Sequence, residues 1–235
     1  MPDIISDFFA LRAPTPERPL LGLTVLVVED SRFTCEALRL MCARSGARLR
    51  RADCLRSARR HLQAYRPGVV VVDLGLPDGS GLDLIVEIAG QRGPAPALLA
   101  TSGDASAGRG ALAAGADAFL PKPVESLQAF QRAVLGALSP IPRPVDRPDK
   151  DDRINPDRLA LRDDLAHAAD MLQQGVEADY LAQFLRGVAL SAHDDPLRAA
   201  AEALARDQDA GRALAAPLGR VSALVAERLS TGASI

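Results

Sequence analysis

Val69-Val70-Val71-Val72-Asp73 is the stretch on which the fold turns. Four β-branched residues in a row, closed by an acid, read as a strand buried on both faces of a parallel sheet. Val25-Leu26-Val27-Val28-Glu29-Asp30 has the same form and also ends in carboxylates. A third strand-like stretch, Ala116 to Leu120, runs into Pro121-Lys122-Pro123. Open α/β sheets bind ligands beyond the carboxyl ends of their strands. Glu29, Asp30, Asp73 and Lys122 are therefore expected at one edge, where three acids and an ammonium suit a hard cation and a phosphoryl group.

Working outward, strand-like and helix-like segments alternate from residue 23 to residue 138. Strands are expected near 23–28, 48–52, 69–73, 96–101 and 116–120, and helices near 31–45, 54–65, 80–91, 104–114 and 124–138. That alternation predicts a right-handed parallel α/β sandwich. The fourth helix is the weakest, because Gly108, Gly110 and Gly115 each disfavour helix by ~1 kcal/mol relative to alanine.

Asp73 opens the run Leu74-Gly75-Leu76-Pro77-Asp78-Gly79-Ser80-Gly81, and Thr101 sits in Leu98-Leu99-Ala100-Thr101-Ser102-Gly103. With Glu29-Asp30 ahead of them and Lys122-Pro123 behind, residues 23–138 resemble the receiver domain of two-component response regulators. The resemblance implies a five-stranded, doubly wound, flavodoxin-like parallel sheet, with Asp73 as phosphoacceptor. It makes Asp30 and Asp73 direct ligands of Mg²⁺, with the backbone carbonyl of Gly75 as a third and Glu29 acting through water. Oxygen-only ligands at an open edge suit Mg²⁺, which keeps several waters, and Mn²⁺ should substitute. Lys122 and Thr101 would contact phosphoryl oxygens, and Phe119 occupies the place of the aromatic switch residue. The implied phosphodonor is a histidine kinase or a phosphotransfer protein. The implied chemistry is confined to the domain's own phosphorylation and dephosphorylation, so the chain is not expected to be an enzyme in any wider sense.

The 235 residues carry a formal net charge of −2, with 48% hydrophobic residues and no tryptophan. Of the 28 basic residues 26 are arginine. Cys35, Cys42 and Cys54 lack the paired spacing of a zinc or disulfide set and read as thiols of a reducing compartment. No apolar run reaches the ~18 residues of a membrane span and no signal peptide is evident, so a cytoplasmic protein is expected; the resemblance implies that it is bacterial and takes part in signalling. Residues 32–66 hold ten arginines against Glu36 and Asp53. A solvated helical surface explains them better than nucleic-acid binding, since aromatics are not interleaved; an acidic surface is the partner they would fit.

Four divisions are expected: an N-terminal arm at 1–20, the α/β domain at 21–138, a proline-rich linker at 139–155 and an all-α four-helix domain at 156–232. Pro140, Pro142, Pro144 and Pro148 exclude a helix or central strand between the two domains. Pro156 suits the first turn of a helix carrying Leu161, Leu165, Ala168 and Leu172 on one face, ended by Gly175. Tyr180, Leu181, Phe184, Leu185 and Val188 make a second stripe, and Asp195-Pro196 reads as the cap and first turn of a third helix. His167 falls off the apolar stripe, exposed and ringed by Asp163, Asp164 and Asp170. The leading expectation is a regulator whose helical domain switches protein contacts, with or without homodimerisation. Two other classes are a phosphorelay intermediate using His167 and a DNA-binding transcriptional regulator; the net-acidic tail, without a basic recognition helix, speaks against the latter.

Overall fold

The computed structural model describes residues 13–91, 93, 95–138 and 152–231. The expected arm up to residue 12, and the linker up to residue 151, lie outside the described residues. Strands β1 (Thr24–Val28), β2 (Arg48–Ala52), β3 (Val69–Asp73), β4 (Ala97–Ser102) and β5 (Ala118–Pro121) form one parallel sheet in the order β2-β1-β3-β4-β5. Helices α1 (Arg32–Ser45), α2 (Leu55–Ala64), α3 (Gly81–Ala89), α4 (Gly108–Ala113) and α5 (Leu127–Leu138) alternate with them. This is the doubly wound order, with its topological switch between β1 and β3.

All five residues of β3 are buried, and their alternation builds two cores. Val25, Val27, Val69 and Val71 pack with Leu38 and Met41 of α1 and Phe130 and Val134 of α5. Leu26, Val28, Val70 and Val72 pack on the other face with Leu55 and Ala58 of α2 and Leu84, Ile85 and Ile88 of α3. Each such side chain contributes roughly 1.5–3 kcal/mol by leaving water. The arginine-rich β2 is tolerated because it is an edge strand whose residues 48–51 alternate between exposed and half-buried before the buried Ala52.

The expected 104–114 helix is cut short: a 3₁₀ turn at Ala105–Ala107 precedes a six-residue α4. A side chain at Gly108 would bring its Cβ within 3.0 Å of Phe119 Cδ1, so the glycine makes room for that ring. Gly115 then takes a left-handed φ of 111° and ends the segment.

The second half is built of four helices, α6 (Arg158–Gln174), α7 (Ala178–Ser191), α8 (Asp195–Asp209) and α9 (Ala215–Thr231). Their core joins Leu165 and Met171 of α6, Leu185 and Val188 of α7, Leu197 and Leu204 of α8, and Val221 and Val225 of α9. Two expected helix starts are corrected by one residue or two. Asp157, not Pro156, opens α6 by accepting from Leu159 N, and Asp194, not Asp195, caps α8 by accepting from Leu197 N. A carboxylate that reaches the free N–H groups of the first turn defines the boundary better than a proline that lacks one.

Two short segments tie into the α/β core. Leu20 is fully buried there, its N–H bonded to Ser45 O at 2.9 Å. Residues 152–154 pair with the start of α5: Ile154 N donates to Glu125 O at 3.0 Å, and the Ile154 side chain is buried in the same core. The end of the expected linker is thus held by the α/β half. Gly75–Leu76 and Gly79–Ser80 form a small antiparallel ladder after β3, and α7 packs on it while α6 packs on α1.

Candidate functional site at the carboxyl edge of the sheet

Glu29 and Asp30 directly follow β1, and Asp73 is the last residue of β3. One oxygen from each of the three carboxylates lies within 4.8 Å of the others. Lys122 follows β5, anchored by its N–H to Ser102 O at 2.9 Å and followed by a cis peptide to Pro123. Its Nζ stands 2.8 Å from Glu29 Oε2 and 3.0 Å from Asp73 Oδ2, with all three side chains buried. Thr101 is in register with Asp73 across β3 and β4, and its buried Oγ1 has no hydrogen-bond partner among the described residues. Phe119 is half-buried one strand over, packed on Gly108. Close approach of the loop to Asp73 depends on Gly81, where a Cβ would fall 2.0 Å from Asp73 O.

One ammonium against three carboxylates leaves negative charge in excess. Burial, reinforced by Asp73, holds the Glu29 carboxyl well above its usual range, against the pull of Lys122. Burial also raises Asp73, and Lys122 works against it. Burial alone would depress Lys122, but Asp73 and Glu29 outweigh it and keep the amine protonated. Such a cluster fits a divalent cation: its donors are all hard oxygens, and a cation would neutralise the surplus charge that burial makes costly. Thr101 Oγ1 supplies a hydroxyl with unused capacity beside the acceptor.

The site is not open to solvent on all sides, because the helical half sits on it. Tyr180 of α7 donates its hydroxyl to Asp30 Oδ2 at 2.5 Å. Gln183 presses on Gly75, where a Cβ would lie 2.0 Å from its Nε2. Asp164 of α6 accepts from Ser31 Oγ (2.8 Å), Arg32 N (2.8 Å) and Phe33 N (3.0 Å), so an acid of one half satisfies the N-terminus of a helix in the other. Ser31 itself caps α1 through Thr34 N. His193 bonds Glu125 through Nε2, and Arg32 pairs with Asp163. The expectation that Asp163, Asp164 and Asp170 surround His167 is corrected for Asp164, which is buried against α1. His167 is exposed and sets its ring edge-on to Phe184 at 5.5 Å. Of the arginine-rich stretch, Arg32 meets an acid of the helical half, whereas Arg59 pairs with Glu87 of α3. Tyr180, Gln183 and Asp164 carried no signal for this role, since the first reads as core stripe and the others as solvated polar residues.

The response regulator receiver domain family matches residues 25–134. Residues 25–134 form a response regulator receiver domain. The KDP operon transcriptional regulatory protein KdpE of Escherichia coli is 33% identical over 113 residues, 47% of this chain and 50% of that protein. Response regulator MprA of Mycolicibacterium vanbaalenii is 35% identical over 123 residues, 51% of this chain and 53% of that protein. The chain thus spans about half the length of these curated relatives. Among solved structures, a CheY-like receiver domain from Methylobacillus flagellatus covers 50% of this chain and 98% of its own, at 24% identity and a TM-score of 0.45. The receiver match stops before α6, so the four helices of the second half, α7 of which rests on the receiver's acidic edge, lie outside it. Among the described residues no helix is long and apolar enough to cross a membrane.

Proposed function

We propose that the chain is a response regulator whose receiver takes a phosphoryl group onto Asp73 from a histidine kinase or a phosphotransfer protein, and whose helical module is its output element. The observation that carries this reading is the meeting of Glu29, Asp30, Asp73 and Lys122 at one edge beside the unpartnered Thr101 hydroxyl. In the transfer, a carboxylate oxygen of Asp73 forms a bond to phosphorus while the bond from phosphorus to the donor breaks, and the donor leaves with that electron pair. The product is an aspartyl phosphate. Positioning and charge neutralisation are the main demands of such a reaction. Mg²⁺, held by Asp30, Asp73 and the Gly75 carbonyl with Glu29 behind them, would supply that neutralisation when bound; Mn²⁺ has the same preference for oxygen.

The protein's own residues account for the rest. Lys122, a flexible point charge, turns from the free carboxylate toward a phosphoryl oxygen. Thr101 donates its hydroxyl to another. Phe119 lacks a polar tip, so any signal it passes travels by packing against Gly108 and α4. No chemistry beyond the domain's own phosphorylation and dephosphorylation is proposed. Incubation with a small phosphodonor and Mg²⁺ is expected to label Asp73, and Asp73→Asn to remove the label. Undiminished labelling of that variant, mapped to another residue, would overturn the assignment.

A further inference from the structure

Tyr180, Gln183, Gly187 and Leu190 are spaced at three, four and three along α7, so they share one face of the helix. Each meets a different part of the receiver's acidic edge. Tyr180 bonds Asp30. Gln183 lies on Gly75. At Gly187 an added Cβ would stand 3.8 Å from Lys122 Nζ, in van der Waals contact, so the helix backbone lies close over the ammonium. Leu190 reaches the loop after β4, where a Cβ on Gly103 would stand 3.6 Å from its Cδ2. The same helix thus touches a candidate metal ligand, the loop that offers the carbonyl ligand, the phosphoryl-binding lysine and the segment following Thr101.

We infer that α7 is an intramolecular plug of the phosphorylation site, and that metal and phosphoryl binding compete with the docking of the helical module. The inference rests on the reading of Asp30, Asp73 and Lys122 as the metal and phosphoryl site. Its physical basis is that one set of polar atoms has two claimants. Asp30 Oδ2 already accepts the Tyr180 hydroxyl, and Mg²⁺ demands near-octahedral oxygen ligands with several waters beside the same carboxylate. A phosphodonor protein must also bring its phosphoryl group to Asp73, only 6% exposed beneath the helix. Outside that face the module is held by Asp164 on the N-terminus of α1 and by His193 on Glu125. These contacts lie on the receiver but not on the acid cluster. A ligand that takes Asp30 from Tyr180 therefore weakens docking, and a change that weakens docking raises the apparent affinity of the ligand by the same factor.

The test uses the full chain and two readouts: Mg²⁺ titration, and amide hydrogen exchange of α7 and of Arg32 and Phe33, with and without beryllofluoride. Tyr180→Phe removes the hydroxyl and keeps the ring. Gly187→Leu places a side chain against Lys122 while improving helix propensity, so the module itself remains folded. Both variants are expected to exchange faster at these amides without metal, and to bind Mg²⁺ about tenfold more tightly, the factor that corresponds to ~1.4 kcal/mol of docking. Mg²⁺ with beryllofluoride is expected to release the same amides in the wild type. Equal Mg²⁺ affinities in all three proteins, with α7 equally protected before and after loading, would overturn the plug and leave Asp73 as phosphoacceptor. If no variant binds Mg²⁺ although the variants still exchange faster, the metal-site reading fails, and the competition with it.

Discussion

The hydroxyl of Tyr180 donates to Asp30 Oδ2 at 2.5 Å, joining residues 150 positions apart. Burial and the neighbouring Asp30 push the phenol far above its usual pKa, so it stays a donor throughout the ordinary pH range. The bond makes the acidic edge of the receiver a contact surface for the helical module and links what happens at the carboxylates to where α7 sits.

Thermal unfolding should respond to Mg²⁺. A ligand that binds only the folded state adds about 2.7 kcal/mol at a hundredfold excess over its Kd, and competition with α7 reduces that gain. For a chain of this size the ceiling corresponds to a rise in Tm of roughly 5–10 °C. Asp30→Ala is expected to abolish the rise. A melting curve indifferent to Mg²⁺ in the wild type would count against the site.

Asp164→Ala should cost about 2 kcal/mol, because it strips the partner from two backbone N–H groups at the start of α1 and from Ser31 Oγ. Asp164→Asn, which still offers one acceptor oxygen, should lose less. Calorimetry of the two variants decides this. If Asp164→Ala melts like the wild type and the Arg32 and Phe33 amides exchange no faster, the contact between the halves carries no stability.

Ile154→Ala should destabilise the receiver by about 2–4 kcal/mol through lost burial and the cavity left behind. Chemical denaturation followed on receiver signals measures it. A variant as stable as the wild type would mean that residues 152–154 are a passive connection.

Acid should loosen the helical module through Asp194, which caps α8 and accepts from Arg228 Nε at 2.9 Å. Burial works to raise this carboxyl, but the bonds from Arg228 and Leu197 N prevail and hold it below its usual value. Its contribution is therefore in place above the unfolded value of about 3.9 and is lost as pH falls through the folded one. Helical circular dichroism of Asp194→Asn should show a flatter acid limb than the wild type. Superimposable acid titrations would show that the Arg228 pair is solvated surface.

The sheet and its acidic edge were legible because parallel strands end together. Once Val25–Val28 and Val69–Val72 are read as buried strands, Glu29, Asp30 and Asp73 must emerge on the same side, and the segment after β5 brings Lys122 there. Short-range chemistry was only partly readable. The weakness of α4 was readable from Gly108, Gly110 and Gly115, but the Phe119 ring lying over Gly108 was not, a contact between segments that propensity does not see. Asp157 and Asp194 displaced Pro156 and Asp195 as helix starts because the acid one position away had the better reach to the free N–H groups.

Apolar periodicity determined that the second half would be helical, but not where the module would dock. Tyr180 fits a core stripe, and Asp164 looks like one more solvated acid on an acidic helix. Their partners lie 131–150 residues away, and whether they meet depends on how two finished surfaces match in shape and charge. Helical periodicity tells which side of α7 is apolar. Only the packed chain decides that the face carrying Tyr180, Gln183 and Gly187 rests on the carboxylates, because that choice follows from three-dimensional complementarity and leaves no repeat along the sequence.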